Sequence, residues 1–149
     1  MDLYEELKAL IAGLDRDHVD YAIIGGIAVA IWGAPRFTQD IDLLVLREDL
    51  ERAKATARSC GFVLEALPMD FRDGTELHRL SKMAASEHLL VDLMLADRHL
   101  LAPWQSRRRI AFDGGSISVV SRESLIAMKI GAGRQQDLLD VEKLKDLDR

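Results

Sequence analysis

The sequence predicts an α+β (mixed α/β) fold, in which a central mixed β-sheet has helices packed mainly on one face. One observation is the order of the segments: helix, strand, helix, strand and helix are followed by several strands and then by two C-terminal helices. Another is the stretch Ile41–Leu46, which is almost continuously apolar, as expected for a central strand buried on both faces. The 149 residues are predicted to form a single domain, 1–149.

The elements of the first half are indicated by helical or strand periodicity and by glycine and proline breaks. Leucine and isoleucine recur at helical spacing near the N-terminus, and Gly61 stands where a glycine commonly follows a helix. The predicted elements are a helix over 2–15, a strand over 20–24, a helix from Ile27 to about Trp32, the strand Ile41–Leu46 and a helix over 48–60.

The second half is predicted to be richer in strands. Asp113-Gly114-Gly115 is a strong hairpin signal, and Ser121 or Ser124 is the expected N-cap of the first C-terminal helix. For the segment Ala96–Ser106 the sequence is compatible with either a loop or a short helix. The other predicted elements are a strand Phe62–Leu67, a loop Met69–Thr75, hairpin strands Glu76–Lys82 and His88–Leu95, hairpin strands Arg109–Phe112 and Ser116–Val119, a helix to about Gly133 and a helix from Gln135 onward.

Composition limits the classes of function. A net charge of −5 does not indicate an extended groove for nucleic acid. The single cysteine, Cys60, excludes an internal disulfide and fits a reducing compartment. The acidic, amphipathic N-terminus is unlike a signal peptide, and no apolar run approaches the ~20 residues that a membrane span requires. The sequence therefore predicts a soluble, cytoplasmic protein that does not enter a membrane.

Two carboxylates, Asp40 and Asp42, open the apolar strand and are separated by one isoleucine. Because strand side chains alternate between faces, both project to the same side. Neighbouring carboxylates on such an apolar strand repel each other and lose hydration, so the arrangement is costly without a cation. The pair predicts a site for a hard divalent ion, Mg²⁺ or, as an alternative, Mn²⁺.

Gly25 and Gly26 lie between the strand over 20–24 and the helix that is expected near Ile27. Without Cβ atoms, the backbone there can be approached closely. The amides at the start of a helix point outward and favour an anion. A phosphate cradle close to a metal-binding carboxylate pair indicates that the protein handles a nucleoside triphosphate.

Gly25-Gly26, then thirteen residues, then Asp40-Ile41-Asp42 resembles the signature of the polymerase β-like nucleotidyltransferase superfamily. The lead-in Arg36-Phe37-Thr38-Gln39-Asp40 is similar to the small bacterial branch that includes the AbiEii-type toxins. Ser121–Asp140 resembles the helical lysine, arginine and aspartate motif of that branch. Larger members carry a second helical domain for the acceptor, which implies that acceptor binding here needs a homodimer or a small partner protein.

The resemblance implies a nucleotidyltransferase fold, a magnesium-dependent activity and a set of site residues. The catalytic, metal-binding triad would be Asp40, Asp42 and Asp92. Contacts to the nucleotide or its phosphates are implied for Gly25, Gly26, Arg36, Thr38 and Lys129, and a further role for Arg134, Asp137 and Asp140.

Several of these residues also have an interpretation without a site. Asp92 lies among apolar residues and needs a charged partner, which the sequence alone leaves open between a metal and an arginine. Lys129 could be a solvated residue at a helix edge, and Thr38 could be a strand former without a role. Arg134, Asp137 and Asp140 follow one another at helical spacing and could form ion pairs on a helix surface.

The predicted reaction transfers a nucleoside monophosphate from a nucleoside triphosphate to a hydroxyl group and releases pyrophosphate. The acceptor stays open between a protein hydroxyl, a tRNA 3′ end and a small molecule such as an antibiotic. The main rival is a nucleotidyltransferase-fold binding or regulatory module, such as one component of a toxin–antitoxin pair, without independent activity. A weaker rival is a structural domain that binds no ligand.

Overall fold

The computed structural model describes residues 1–34 and 38–147. Within them the chain forms six α-helices and an eight-stranded mixed sheet, which confirms the predicted fold class. The helices are α1 (Leu3–Arg16), α2 (Gly25–Ile31), α3 (Leu50–Ser59), α4 (Leu101–Gln105), α5 (Arg122–Ala132) and α6 (Gln135–Asp146). The strands are β1 (Ala22–Ile24), β2 (Asp40–Val45), β3 (Leu64–Glu65), β4 (Met69–Asp70), β5 (Glu76–Ala84), β6 (Glu87–Leu95), β7 (Arg108–Phe112) and β8 (Gly115–Val119).

Strand β2 lies in the middle of the sheet, as its apolar sequence predicts. The strand order is β3-β5-β6-β2-β1-β8-β7, and β4 pairs with β5. Strands β1 and β2 are antiparallel, whereas β6 runs parallel to β2 and β8 runs parallel to β1. Both predicted hairpins, β5–β6 and β7–β8, are present. The sheet is therefore built from antiparallel hairpins joined to a central pair by parallel contacts.

Alternation along β2 separates a core-facing side from a side that carries carboxylates. Ile41, Leu43 and Val45 lie on one side and are fully buried. Asp40 and Asp42 occupy the intervening positions, lie on the other side and are half-buried. Leu44, the next residue on the carboxylate side, is fully buried, so the strand is covered on both faces beyond the two carboxylates.

Helices α1 and α3 pack against each other, and α3 also contacts strands β5 and β6. Asp2 is the N-cap of helix α1, and its side chain accepts a hydrogen bond from the backbone N–H of Tyr4 at 2.8 Å. A Cβ atom on Gly13 would lie only 2.8 Å from Cγ2 of Thr56, so the glycine permits close contact between α1 and α3. Leucine and isoleucine at helical spacing in α1 join the hydrophobic core, as the sequence predicts.

Strand β3 is shorter than the predicted strand Phe62–Leu67. Phe62 is fully buried, but the side chains of Val63 and Leu67 are 64% and 86% exposed. The strand is limited to Leu64–Glu65, which pairs with β5 at the edge of the sheet, where little apolar surface can be buried, and Ala66 adds one backbone hydrogen bond to the carbonyl of Arg79. The predicted loop Met69–Thr75 was also partly wrong, because its first two residues pair with β5 as β4.

The segment Ala96–Ser106, for which the sequence allows a loop or a short helix, contains a 3₁₀ turn over Arg98–Leu100 followed by α4. Trp104 in α4 is buried, so the segment is held by core packing rather than being a solvated loop. Of the two candidate caps of α5, Ser121 is the one used: its hydroxyl accepts a hydrogen bond from the backbone N–H of Ser124 at 3.0 Å. None of the helices within the described ranges combines the length and the apolar character needed to cross a lipid bilayer.

Candidate active site

Three carboxylates meet where strands β2 and β6 run side by side. Asp42 is paired with Asp92 in the parallel register, and Asp40 lies two residues before Asp42. One oxygen from each of the three side chains lies within 4.8 Å of the other two. Asp92 is 5% exposed, whereas Asp40 and Asp42 are half-buried. The structure therefore brings the three residues of the predicted triad together.

The electrostatics of this cluster fit a divalent cation. Burial, followed by the negative charges of Asp92 and Asp40, raises the pKa of Asp42 to about 7. The positive charges of Lys129 and Arg79 act in the opposite direction without cancelling that rise. Three carboxylate oxygens at this separation suit a hard ion such as Mg²⁺ or Mn²⁺, which would relieve their repulsion.

Gly25 is positioned by the sharp change of direction between β1 and α2. Helix α2 begins at Gly25, two residues before the predicted start near Ile27, and Gly25 has a φ of +70°. This left-handed conformation is costly for residues with a Cβ atom. Such an atom on Gly25 would also lie 2.2 Å from Oδ2 of Asp42. The sequence predicts that a group can approach the backbone of Gly25 closely. In the structure, the carboxylate of Asp42 is the group that does so.

One charged partner of Asp92 is an arginine. Arg79 donates from Nε to Oδ1 of Asp92 at 2.7 Å and from Nη2 to Oδ2 at 2.9 Å. Arg79 belongs to none of the motifs recognised in the sequence. Its pairing with Asp92 requires a two-residue turn after Ala84, which the predicted strand ends at Lys82 and His88 do not specify.

Lys129 lies inside an ion-pair cluster between α5 and α6. Its Nζ atom is 3.3 Å from Oδ1 of Asp137 and 3.0 Å from Oδ2 of Asp140, and its side chain is only 6% exposed. Gln136 donates to Oδ1 of Asp140 at 2.9 Å. Both acids are nearly or fully buried, so the ion pairing that the helical spacing suggested is internal and not on the helix surface. Lys129 is correspondingly not a solvated residue at a helix edge.

Arg134 connects this cluster to solvent. Its Nε atom donates to Oδ2 of Asp137 at 2.7 Å and its Nη2 atom to Oδ1 at 3.2 Å, while its side chain stays 78% exposed. Burial alone would raise the pKa of Asp137, but the hydrogen bonds from Arg134 and the charge of Lys129 lower it. Asp137 is therefore held as an anion between two cations.

Of the remaining predicted residues, Thr38 lies beside Asp40. The backbone N–H of Asp40 donates to Oγ1 of Thr38 across 3.5 Å, a long contact that puts the hydroxyl next to the triad. Gly26 is buried in the first turn of α2. Arg36, for which a phosphate contact was predicted, lies outside the described residues.

No protein-family model matches the sequence, and no curated protein sequence matches it either. Solved structures do match. The lincosamide antibiotic adenylyltransferase LnuA, with lincomycin bound, is similar with a TM-score of 0.67 at 14% identity over 95% of each chain. TM1012 from Thermotoga maritima, described as a nucleotidyltransferase, gives 0.67 at 15% identity over 97% of this chain and 92% of that one.

The antibiotic-resistance factor ANT(2'')-Ia also matches, with a TM-score of 0.67 at 15% identity over 95% of this chain and 81% of that one. A structure of ANT(2'')-Ia in complex with adenylyl-2''-tobramycin gives 0.64 at 16% identity, covering 95% of this chain and 86% of that one. These similarities show that the chain has the nucleotidyltransferase fold. They do so at identities too low to carry an activity by themselves.

We expect Asp42→Asn to stabilise the metal-free protein at pH 8. The pKa of Asp42 in the folded chain, about 7, lies above its ordinary value of 3.8. Its ionisation therefore destabilises the fold progressively between those two pH values, and the full penalty applies above pH 7. The variant should gain on the order of 4 kcal/mol in unfolding free energy at pH 8 in EDTA, because each unit of the pKa difference corresponds to about 1.4 kcal/mol.

The gain should shrink as the pH is lowered and vanish near pH 4, which urea unfolding at several pH values would measure. Asp20→Asn, at an exposed aspartate, is the control and should change little. If Asp42→Asn were less stable than the wild type at pH 8 in EDTA, ionised Asp42 would not destabilise the metal-free fold, and the prediction would be wrong.

Gly25→Ala should destabilise the fold and displace Asp42, because the new methyl group meets both a left-handed backbone and a carboxylate. Gly114→Ala is the matched control: Gly114 has a φ of +80° but no atoms near the added Cβ, so it isolates the backbone strain of about 1–3 kcal/mol. Chemical unfolding should show a larger loss for Gly25→Ala. Equal losses would mean that Asp42 moves away at no cost.

Lys129→Met should cost about 3–5 kcal/mol of unfolding free energy, because it leaves two buried carboxylates without their shared cation. Lys145→Met removes an exposed lysine from α6 and should cost little. Adding Asp137→Asn and Asp140→Asn to Lys129→Met should recover part of the loss in denaturant titrations. A small loss for Lys129→Met alone would show that the cluster is not structural.

Proposed function

We propose that the protein is a Mg²⁺-dependent nucleotidyltransferase that moves a nucleoside monophosphate from a nucleoside triphosphate to a hydroxyl group. The observation that carries this proposal is the convergence of Asp40, Asp42 and Asp92 beside Gly25 within a nucleotidyltransferase fold. Structural support alone would not require three crowded carboxylates, whose mutual repulsion disfavours the fold unless a cation is present.

Asp40 and Asp42 would hold the metal, and Asp92 would either complete its ligand set or accept the proton of the acceptor. Bound there, Mg²⁺ would neutralise charge on the phosphate oxygens. In the reaction, the acceptor oxygen forms a bond to the α-phosphorus as the bond from that phosphorus to the α,β-bridging oxygen breaks. Pyrophosphate leaves with that bridging oxygen, and the hydroxyl proton passes to Asp92 or to water.

The surrounding residues would bind and orient the nucleotide. The backbone amides of Gly25 and Gly26 would contact phosphate, as would the guanidinium of Arg36, and Thr38 would hydrogen-bond near the nucleotide. Lys129 would offset charge on the β- and γ-phosphates through its positive field, while its ammonium group stays held by the acids of α6. Arg134, Asp137 and Asp140 would support the site by holding Lys129 in its ion-pair cluster. The exposed guanidinium of Arg134 is the member of this cluster best placed to meet an anion.

For the acceptor, we favour a small hydroxyl compound over a protein or a tRNA end, and we favour ATP as the donor. The support comes from LnuA and ANT(2'')-Ia, an adenylyltransferase solved with lincomycin and a resistance factor solved with adenylyl-2''-tobramycin. LnuA matches over 95% of both chains, so this chain has about the length of a protein that handles such compounds. A homodimer or a partner protein would complete the acceptor site.

A second candidate function is a regulatory module of the AbiEii-type branch, acting as one component of a toxin–antitoxin pair. It is supported by the resemblance of the Arg36–Asp40 lead-in and of the C-terminal helical motif. One further observation favours a protein partner: Ile130, Leu138 and Leu139 on α5 and α6 are each about half exposed. A partner chain that covers these side chains would be expected in that case.

The test is thermal unfolding with each nucleoside triphosphate, with and without Mg²⁺, on the wild type and on Asp40→Asn/Asp42→Asn. A ligand that binds only the folded state raises the unfolding temperature by mass action. We expect a Mg²⁺-dependent rise with ATP in the wild type and none in the double variant. Transfer of labelled AMP to aminoglycoside and lincosamide alcohols would then be measured.

A rise that survives in the double variant would place the nucleotide elsewhere and overturn the site. Absence of any rise, with every nucleotide, would favour the regulatory module. Binding without transfer to any small alcohol would redirect the search to protein and tRNA acceptors.

A further inference from the structure

The contact between Arg79 and Asp92 has the geometry of a paired, two-point hydrogen bond. Both oxygens of the carboxylate accept from one planar guanidinium, at 2.7 and 2.9 Å. Such a pair fixes the orientation of the carboxylate far more closely than a single bond does. The Asp92 side chain is 6% exposed and that of Arg79 is 35% exposed, so the arginine reaches in from a more open position.

The register of the sheet places this pair in line with the metal-binding candidates. Ile24 pairs with Asp42, Asp42 pairs with Asp92, and Asp92 pairs with Arg79, so one row of residues crosses four strands. The negative charges of Asp40 and Asp42, as well as that of Asp92, act on Arg79. Arg79 is therefore a cation fixed at the end of the acid row, and its charge acts on the whole triad.

Arg79 does not occupy every hydrogen-bond acceptor position of the Asp92 carboxylate. An ionised aspartate offers about four acceptor positions on its two oxygens, and Arg79 occupies two of them. One oxygen of Asp92 still lies within 4.8 Å of an oxygen of Asp40 and of Asp42. Asp92 can therefore be held by Arg79 and contribute to a metal site at the same time.

We propose that Arg79 is a positioning residue, which orients Asp92 toward the triad and balances part of its negative charge until metal and nucleotide bind. This rests on the proposed function for its effect on turnover, but not for its effect on metal binding. The charge of Arg79 opposes a divalent cation at the triad, so the metal alone binds weakly. The negative charge of a triphosphate, arriving with the metal, offsets that opposition.

The proposal predicts opposite changes in metal affinity and in turnover. Arg79→Gln removes the positive charge and the two-point bond together. Mn²⁺ should then bind at least about tenfold more tightly in the absence of nucleotide, because a positive charge near the site is gone while Asp40 and Asp42, which would hold the ion, stay in place. At the same time kcat should fall about tenfold or more, with KM for ATP changed little, because Asp92 is no longer oriented. A merely structural role would weaken metal binding and activity together.

Arg79→Lys separates the two effects. A lysine keeps the charge but cannot bond both oxygens through a planar fork. Its Mn²⁺ affinity should stay within about twofold of the wild type, while kcat falls as in Arg79→Gln. Arg47→Gln is the matched control: Arg47 bonds Glu76 and Asp97, is well exposed, and should change neither quantity when replaced.

The experiment measures free Mn²⁺ by electron paramagnetic resonance during titration of each full-length protein, with an unfolding curve on the same sample. Weaker or unchanged Mn²⁺ binding in folded Arg79→Gln would overturn the proposal, as would a wild-type kcat in Arg79→Lys. If Arg79→Gln does not fold, the affinity and kcat of Arg79→Lys decide.

If the wild type binds Mn²⁺ but transfers no nucleotide, the proposed function fails while the metal titration still tests Arg79. If the wild type binds no Mn²⁺ at all, both fail.

Discussion

Electrostatic repulsion among three carboxylates is the constraint around which this part of the fold is arranged. The parallel pairing of β2 with β6 sets Asp42 beside Asp92, and strand alternation adds Asp40 on the same face. A protein without use for the cluster could relieve it by one substitution to an uncharged residue. Here the fold instead surrounds it with glycine backbone on one side and with cations on others.

The two cations that act on Asp42 are held in different ways. Arg79 bonds the triad directly through Asp92, on the neighbouring strand β5. Lys129 is tied to Asp137 and Asp140, so its charge reaches the triad from a separate, internally neutralised cluster between α5 and α6. Lys129 therefore acts on the triad through its charge alone and does not bond the triad carboxylates. The proposed site, which would admit both a cation and a polyanion, would benefit from positive charges that are held in place outside the space those ligands would occupy.

Much of this architecture could be predicted from the sequence, because local rules decide it. The apolar run in β2, the turn at Asp113-Gly114 and the spacing of the two aspartates depend on neighbouring residues only. Arg79 was missed because its role depends on its pairing with Asp92 across a hairpin, and the predicted strand ends do not fix the register of that hairpin. The burial of Asp137 and Asp140 was missed because helical periodicity shows which residues share a face, but not what that face packs against.

The hairpin β5–β6 has a consequence for how the chain can vary in length. Arg79 and Asp92 are each six residues from the nearer residue of the two-residue turn at Ala85 and Ser86. Residues added within the turn would lengthen a loop and leave the pairing intact. A single residue added within either strand, between the turn and these two side chains, would instead rotate one of them to the opposite face of the sheet. Insertions and deletions in related sequences should therefore collect at the tip of this hairpin and be excluded from its arms.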